Sequence, residues 1–318
     1  MSEPVASPQK SRQKSRQKIG DWLGLIRFSH TIFALPFAAL GTVMALATPL
    51  PSGVRPLLRL QDLLGILLCM IFARSAAMAF NRLVDAKIDA ANPRTANRHL
   101  PAGVFSKGQV RNFTLLCAMG FVASTLLFLP NPLPLWFSVP VLLFLCGYSL
   151  AKRFTSAAHL WLGLALSLSP ICAWLAIRGP ESLWHPSDLI APALLAAAVA
   201  AWVTGFDIIY ACQDADYDAE VGLHSIPARF GVAGGLRIAR IAHLVMLGFL
   251  AALPLAAPQT GLGWLFWTAL MVVGCLVVQQ HAVVRPNDLE RVNQAFFDAN
   301  AAISIVLLLA GTIDILWL

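Results

Sequence analysis

Apolar runs of about twenty residues recur along almost the whole chain, and that is the length an α-helix needs to cross the ~30 Å hydrocarbon core of a bilayer. Nine such runs are bounded by charge, proline or glycine: 22–47, 58–83, 108–129, 133–151, 158–178, 188–212, 235–257, 259–283 and 294–317. In lipid, backbone polar groups must be satisfied within the spanning structure, which leaves helices or a closed barrel. A barrel needs short alternating strands, so these continuous runs point to a helical bundle. Turn-forming clusters fall between runs, as at Pro49-Leu50-Pro51-Ser52-Gly53, Pro130-Asn131-Pro132 and Gly179-Pro180. Only 12% of the 318 residues are charged and 58% are hydrophobic, whereas a soluble domain carries about 25% charge. A mean hydropathy of +0.70 over the full length is more than one signal peptide or one anchor could supply. The expected class is all-α: a polytopic membrane protein of nine transmembrane helices.

Scarce charge makes its placement readable. With a cytoplasmic N-terminus, nine crossings put 18 of the 23 Lys and Arg residues on the inner side, three (Arg55, Arg59 and Arg178) outside, and Arg27 and Arg74 within spans. This is a strong positive-inside bias, and eight or ten crossings would break it. Residues 1–20 read as a basic, disordered tail near anionic headgroups, and 21–318 as one transmembrane domain. The expected location is a bacterial inner membrane, with a mitochondrial inner membrane as the alternative. The net charge of +7 is scattered between apolar runs, which argues for the bilayer as partner and against nucleic acid; no obligate protein partner is evident. The six cysteines are singletons without CxxC spacing, so they suggest neither a disulfide framework nor a zinc site.

Two loops, 84–107 and 213–234, are both long and charged, and both fall on the inner side. Seven of the sixteen acids (Asp85, Asp89, Asp207, Asp214, Asp216, Asp218 and Glu220) lie in two short stretches at these loops. Asn81, Asp85 and Asp89 recur every four residues and share a helical face. Steps of seven and eleven likewise place Asp207, Asp214 and Asp218 on one face, with Asp216 elsewhere. Carboxylates four apart on a helix repel, so a cation should offset them. Mg²⁺ binds through one or two carboxylates plus substrate phosphates, and two facing DxxxD pairs suit two or three such ions against a diphosphate. A solvated acidic loop would explain one pair, but two pairs in matching positions argue for a site. Arg94 and Arg98, four apart, could clamp phosphate; Lys152 and Arg153 end the fourth span and either join the clamp or snorkel. Arg27, inside the first span, needs an anionic partner.

These residues resemble the UbiA family of intramembrane aromatic prenyltransferases. Asn81, Asp85 and Asp89 match its Asn-x-x-x-Asp-x-x-x-Asp motif, Asp214 and Asp218 its second Asp-x-x-x-Asp, and Tyr148 and Lys152 its Tyr-x-x-x-Lys pattern. The stretch Arg94 to Gly103, and Asp207-x-x-Tyr210-Ala211, are similar to the 4-hydroxybenzoate polyprenyltransferase branch. Arg82 departs from the pattern, since many relatives carry Asp there. The resemblance covers about residues 20–318 and implies nine helices around a central cavity, a cytoplasmic cap, and Mg²⁺-dependent transfer of a polyprenyl chain from its diphosphate to a phenolic acid, in ubiquinone biosynthesis.

On that footing, Asp85, Asp89, Asp214 and Asp218 are expected to bind Mg²⁺ at the leaving group, with Arg94, Arg98, Lys152 and Arg153 sharing its charge. Asn81 and Asp207 are candidates for placing the phenol or supporting the metal shell, and Tyr148 and Arg27 for orienting diphosphate or the acceptor carboxylate. Within the enzyme class the alternatives are dihydroxynaphthoate, homogentisate, futalosine-pathway and haem acceptors. A secondary transporter is the main rival, although transporters carry acids in mid-span rather than at span ends. The signature of CDP-alcohol phosphotransferases is missing. Trp136, Trp184, Trp264, Trp267 and Trp317 read as interfacial anchors, and His159, His243 and His281 as isolated structural histidines. Gly234-Gly235 reads as a turn into the seventh span.

Overall fold

The structure, a computed structural model, describes residues 20–26, 33–286, 289 and 292–318, and the backbone alone for 293–296. Arg27 lies outside the described residues, as does the tail assigned to 1–20 except for Gly20. The fold is all-α. Its helices are α1 (Leu35–Ala47), α2 (Leu60–Val84), α3 (Ala86–Ala91), α4 (Lys107–Thr125), α5 (Leu133–Ala151), α6 (Ala158–Arg178), α7 (Ile190–Ala211), α8 (Ala215–Glu220), α9 (Ile226–Ala256), α10 (Trp264–Val283) and α11 (Val292–Trp317). Among the described residues, eight helices are long and apolar enough to cross a membrane, and the shorter Leu35–Ala47 stands in the first of the nine runs. The chain is an integral membrane protein.

Local chemistry sets the helix ends. Ser106 starts α4 with a capping box: its hydroxyl accepts the Gln109 N–H at 3.2 Å, and the Gln109 side chain accepts the Ser106 N–H at 2.9 Å. Ser225 caps α9 by accepting the Ala228 N–H at 3.2 Å, with Pro227 in the first turn. This start lies nine residues before the expected one, and Gly234-Gly235 is helical rather than a turn. The break falls instead at Gly231, whose φ of 72° suits a residue without Cβ. The acid Asp314 in α11 also serves the architecture. It is buried and accepts the Gly263, Leu265 and Phe266 N–H groups at 2.9, 3.3 and 2.6 Å, closing the first turn of α10.

Helix α7 sits at the centre, packed on α6 and α9, while α2 packs on α4 and α5, and α11 on α1 and α10. Phe37, Trp174, Trp202, Phe206, Met246, Phe266 and Leu307 fill the space around α7. The α6 and α7 backbones approach closely at Gly163 of α6, where a Cβ would lie 2.4 Å from the Ala200 carbonyl oxygen. Trp136, Trp184, Trp264, Trp267 and Trp317 all stand at the end opposite the acid motifs, exposed as interface anchors are.

That opposite end is tied by Arg178, which is buried and pairs with Asp188 while donating to the carbonyls of Ala45 (3.1 Å), Thr48 (2.5 Å) and Pro49 (2.8 Å). Arg178→Ala leaves Asp188 buried without its cation and is expected to cost about 3–5 kcal/mol. Thermal aggregation in detergent measures this, and an unchanged midpoint would refute the tie.

A cavity of about 370 Å³ runs between α2, α4, α5 and α6. Arg74, Met78 and Tyr148 line its acid-side end, and Ile66, Phe128 and Leu133 its far end. Its wall is almost wholly apolar, which suits a hydrocarbon chain.

Candidate active site

Both acid motifs sit at a joint between a spanning helix and a helix of six residues. Asp85 ends α2 and begins α3 with φ −90° and ψ 3°; Asp214 begins α8 with φ −109° and ψ 8°. These are nearly the same point in the sparsely used bridge region. Asp85 and Asp214 therefore share one backbone conformation at the start of their short helices. Asp89 in α3 and Asp218 in α8 follow at the same offset, and both are buried.

In the first motif the α-helical i→i−4 hydrogen bonding runs through the joint, with the Asp85 N–H on the Asn81 carbonyl at 3.0 Å and the Asp89 N–H on the Asp85 carbonyl at 2.7 Å. The shared face of Asn81, Asp85 and Asp89 is thus borne out. The second motif differs from expectation. Helix α7 stops at Ala211, and Cys212–Asp214 is a 3₁₀ turn. Three residues wound at 3.0 rather than 3.6 per turn rotate the downstream helix by about 60°. Asp207 accordingly meets His159, while Asp214 meets Arg94.

Three of the four motif carboxylates are held by cations from another segment or the next loop. Asp85 takes Arg153 Nη2 at 3.0 Å, Lys152 Nζ at 3.5 Å and the Asn81 amide at 3.0 Å. Asp89 takes Arg98 Nη1 at 2.7 Å, with Arg82 Nη1 3.8 Å from its other oxygen. Asp214 takes Arg94 through Nε at 2.8 Å and through Nη2, and the Asn92 amide at 3.1 Å. The Arg94 guanidinium also donates to the Tyr210 hydroxyl at 3.0 Å. Burial disfavours this cation, yet the hydrogen bonds it donates to Asp214 and Tyr210 raise its pKa overall, so it stays charged. Lys152 and Arg153 are therefore more than a span stop, and Arg94 and Arg98 reach carboxylates in this structure.

The two loops are joined to each other. The Tyr217 hydroxyl donates to the Ile88 carbonyl at 3.0 Å, and the His224 N–H to the Lys152 carbonyl at 2.7 Å. Arg82 is buried behind the first motif, donating to the Leu25 carbonyl at 3.3 Å and the Asn81 side chain at 3.4 Å. Asn92 and Tyr217 escape a motif search because their partners Asp214 and Ile88 lie more than 100 residues away; only their polarity marks them.

The histidines are not isolated. His159 Nδ1 lies 2.7 Å from Asp207 Oδ2, and His243 Nδ1 lies 2.9 Å from His281 Nε2, joining α9 to α10. Tyr148 stands at the mouth of the cavity, its hydroxyl 4.0 Å from the Met78 sulfur and among the charges of Arg82, Asp207, Arg74 and Asp85. Arg27 cannot be placed, as it lies outside the described residues.

The donors suit a hard divalent cation. All four motif side chains are carboxylates, and Asp89 Oδ2 is buried without a hydrogen-bond donor. Among the described residues no three acid, His or Cys side chains gather round one point.

Residues 34–305 match the family described as the UbiA prenyltransferase family. Proteins of Salmonella paratyphi B and Salmonella newport named 4-hydroxybenzoate octaprenyltransferase are 30% identical over 230 residues, which is 71% of this chain and 74% of theirs. A solved UbiA homolog from Aeropyrum pernix K1 is 32% identical, with a TM-score of 0.77 over 89% of this chain and 97% of its own. A UbiA homolog from Archaeoglobus fulgidus bound to GPP and Mg²⁺ shares the fold at 17% identity, with a TM-score of 0.64 over 93% and 99% of the two chains.

Proposed function

This chain belongs to the UbiA prenyltransferase family and is a prenyltransferase, and from that premise we propose that it moves a polyprenyl chain from its diphosphate to 4-hydroxybenzoate in ubiquinone biosynthesis. The observation that carries this reading is the pair of aspartate joints joined across their loops by Arg94–Asp214 and Tyr217–Ile88, on the side of the bundle where Arg74 and Tyr148 end an apolar cavity. The Arg94 to Gly103 stretch and the names of the Salmonella relatives support the acceptor. The GPP and Mg²⁺ in the A. fulgidus homolog support the class of donor and metal.

In this reading Asp85, Asp89, Asp214 and Asp218 hold Mg²⁺, which when bound supplies Lewis-acid neutralisation of the leaving diphosphate. Arg94, Arg98, Lys152 and Arg153 lie beside these acids and supply donors for the phosphate oxygens. The cavity wall of α2, α4, α5 and α6 takes the hydrocarbon tail and keeps water from the allylic carbon. Asn81 braces Asp85, and Tyr148 at the cavity mouth, with Arg27, orients diphosphate or the acceptor carboxylate. Asp207 accepts the proton of the acceptor hydroxyl. The ring carbon ortho to that hydroxyl then bonds to the allylic carbon as the carbon–oxygen bond breaks, its electron pair leaving with diphosphate. The ring proton departs with diphosphate, and the proton on Asp207 returns to oxygen, restoring the phenol.

The site faces the cytoplasm of a bacterial inner membrane, with residues 1–20 as a basic tail and 21–318 as one domain; the inner-side excess of Lys and Arg supports this orientation. The test is transfer of labelled prenyl diphosphate by purified protein to a panel of phenolic acids, with and without Mg²⁺. Labelled product is expected with 4-hydroxybenzoate and only when Mg²⁺ is present. A product formed with a different acceptor class alone, or equally well in EDTA, would overturn the reading.

A further inference from the structure

The buried histidine of α6 has no part in the four-aspartate site, yet both of its ring nitrogens are committed. The Ile226 N–H, at the start of α9, donates to His159 Nε2 at 3.3 Å. A backbone N–H can only donate, so Nε2 carries the lone pair and Nδ1 carries the hydrogen. That hydrogen points to Asp207 Oδ2 at 2.7 Å. The ring is 5% exposed, and the close contact of Gly163 with Ala200 one turn along α6 keeps α6 and α7 near enough for the pair to meet.

Asp207 differs from three of the four motif acids. Among the described residues no Lys or Arg pairs with it, whereas Asp85, Asp89 and Asp214 each have at least one such partner. Its side chain is 26% exposed although the histidine behind it is buried, so the carboxylate remains reachable from the site. We propose that His159 is the positioning residue that fixes Asp207 as the acceptor-side base, holding one carboxylate oxygen through Nδ1–H and leaving the other for the phenol proton. Because Ile226 opens the helix that follows the second acid motif, the same ring ties the acceptor side to the α8–α9 connection. This inference rests on the phenolic-acceptor reading. It adds no bond-making step to that reaction; His159 keeps its own proton throughout.

The test compares wild-type protein, His159→Ala and His159→Gln with 4-hydroxybenzoate and with 3-fluoro-4-hydroxybenzoate, whose hydroxyl is more acidic. Loss of the histidine should lower kcat for 4-hydroxybenzoate about 10–100-fold, with KM for prenyl diphosphate within about 2-fold of wild type. Relative to wild type, the fluorinated acceptor should suffer several-fold less, because it depends less on a well-placed base. Gln offers an amide N–H to Asp207 and a carbonyl to Ile226, so His159→Gln should recover much of the rate and serves where Ala fails to fold. An equal loss with both acceptors, or no loss, overturns the role of His159. A wild-type protein that prenylates neither acid instead sinks the function from which the inference starts.

Discussion

Asp85→Ala and Asp214→Ala are each expected to lower Mg²⁺-dependent prenyl transfer by about 10³-fold or more in a protein that still inserts into membranes. Each removes the first carboxylate of one joint, and the first carboxylate of the other is already paired with its own cation. The alanine variants also leave cations without their partner: Lys152 and Arg153 in the first case, Arg94 in the second. Asp85→Asn and Asp214→Asn keep the shape of the joint and separate loss of charge from loss of structure. The measurement is labelled transfer by monodisperse protein at several Mg²⁺ concentrations. Wild-type turnover in both asparagine variants would refute the assignment of these acids.

The second large effect lies in the packing. Gly163→Val is expected to cost about 3 kcal/mol or more and to lose most of the monodisperse protein, because its Cβ would stand 2.4 Å from the Ala200 carbonyl oxygen and 2.5 Å from Thr204 Oγ1. A backbone oxygen in a central helix cannot step aside without moving α7. Gly248→Ala is the control: its Cβ would meet nothing within 4 Å, and it should be neutral or stabilising by up to about 1 kcal/mol. Thermal unfolding in detergent compares the two, and a Gly163→Val protein as stable as wild type would show that α6 and α7 do not need this contact.

Much of the architecture is legible in the sequence because a bilayer imposes one length on every crossing helix. Where expectation and structure part, a local signal is outweighed by a stronger one nearby. Gly234-Gly235 suggests a turn, yet Ser225 and Pro227 already form a helix start, and Gly231 alone absorbs the break. The acid motifs are readable from spacing, since Asp85 and Asp89 lie within one turn of each other. Their partners are not. Arg94 and Asp214 are 120 residues apart, His159 and Asp207 48 apart, and nothing in either local sequence encodes the meeting. The short 3₁₀ turn at Cys212–Asp214 also has no strong sequence mark, and it is the feature that sends Asp207 and Asp214 to different partners.

The cavity draws its wall from α2, α4, α5 and α6, whereas α7, α9, α10 and α11 close on one another around Trp202, Met246, Phe266 and Leu307. The two aspartate joints, alike in backbone, therefore rest on unlike foundations: the first ends a helix with a hollow flank, the second a helix embedded in solid packing. The cavity-facing side chains of α4 and α5 can therefore change the bore beside α2 away from the core that surrounds α7. Helix α6 is shared between the two, since its Leu162 and Leu166 line the cavity and also pack on the core around α7, so a change in that one wall is felt on both sides.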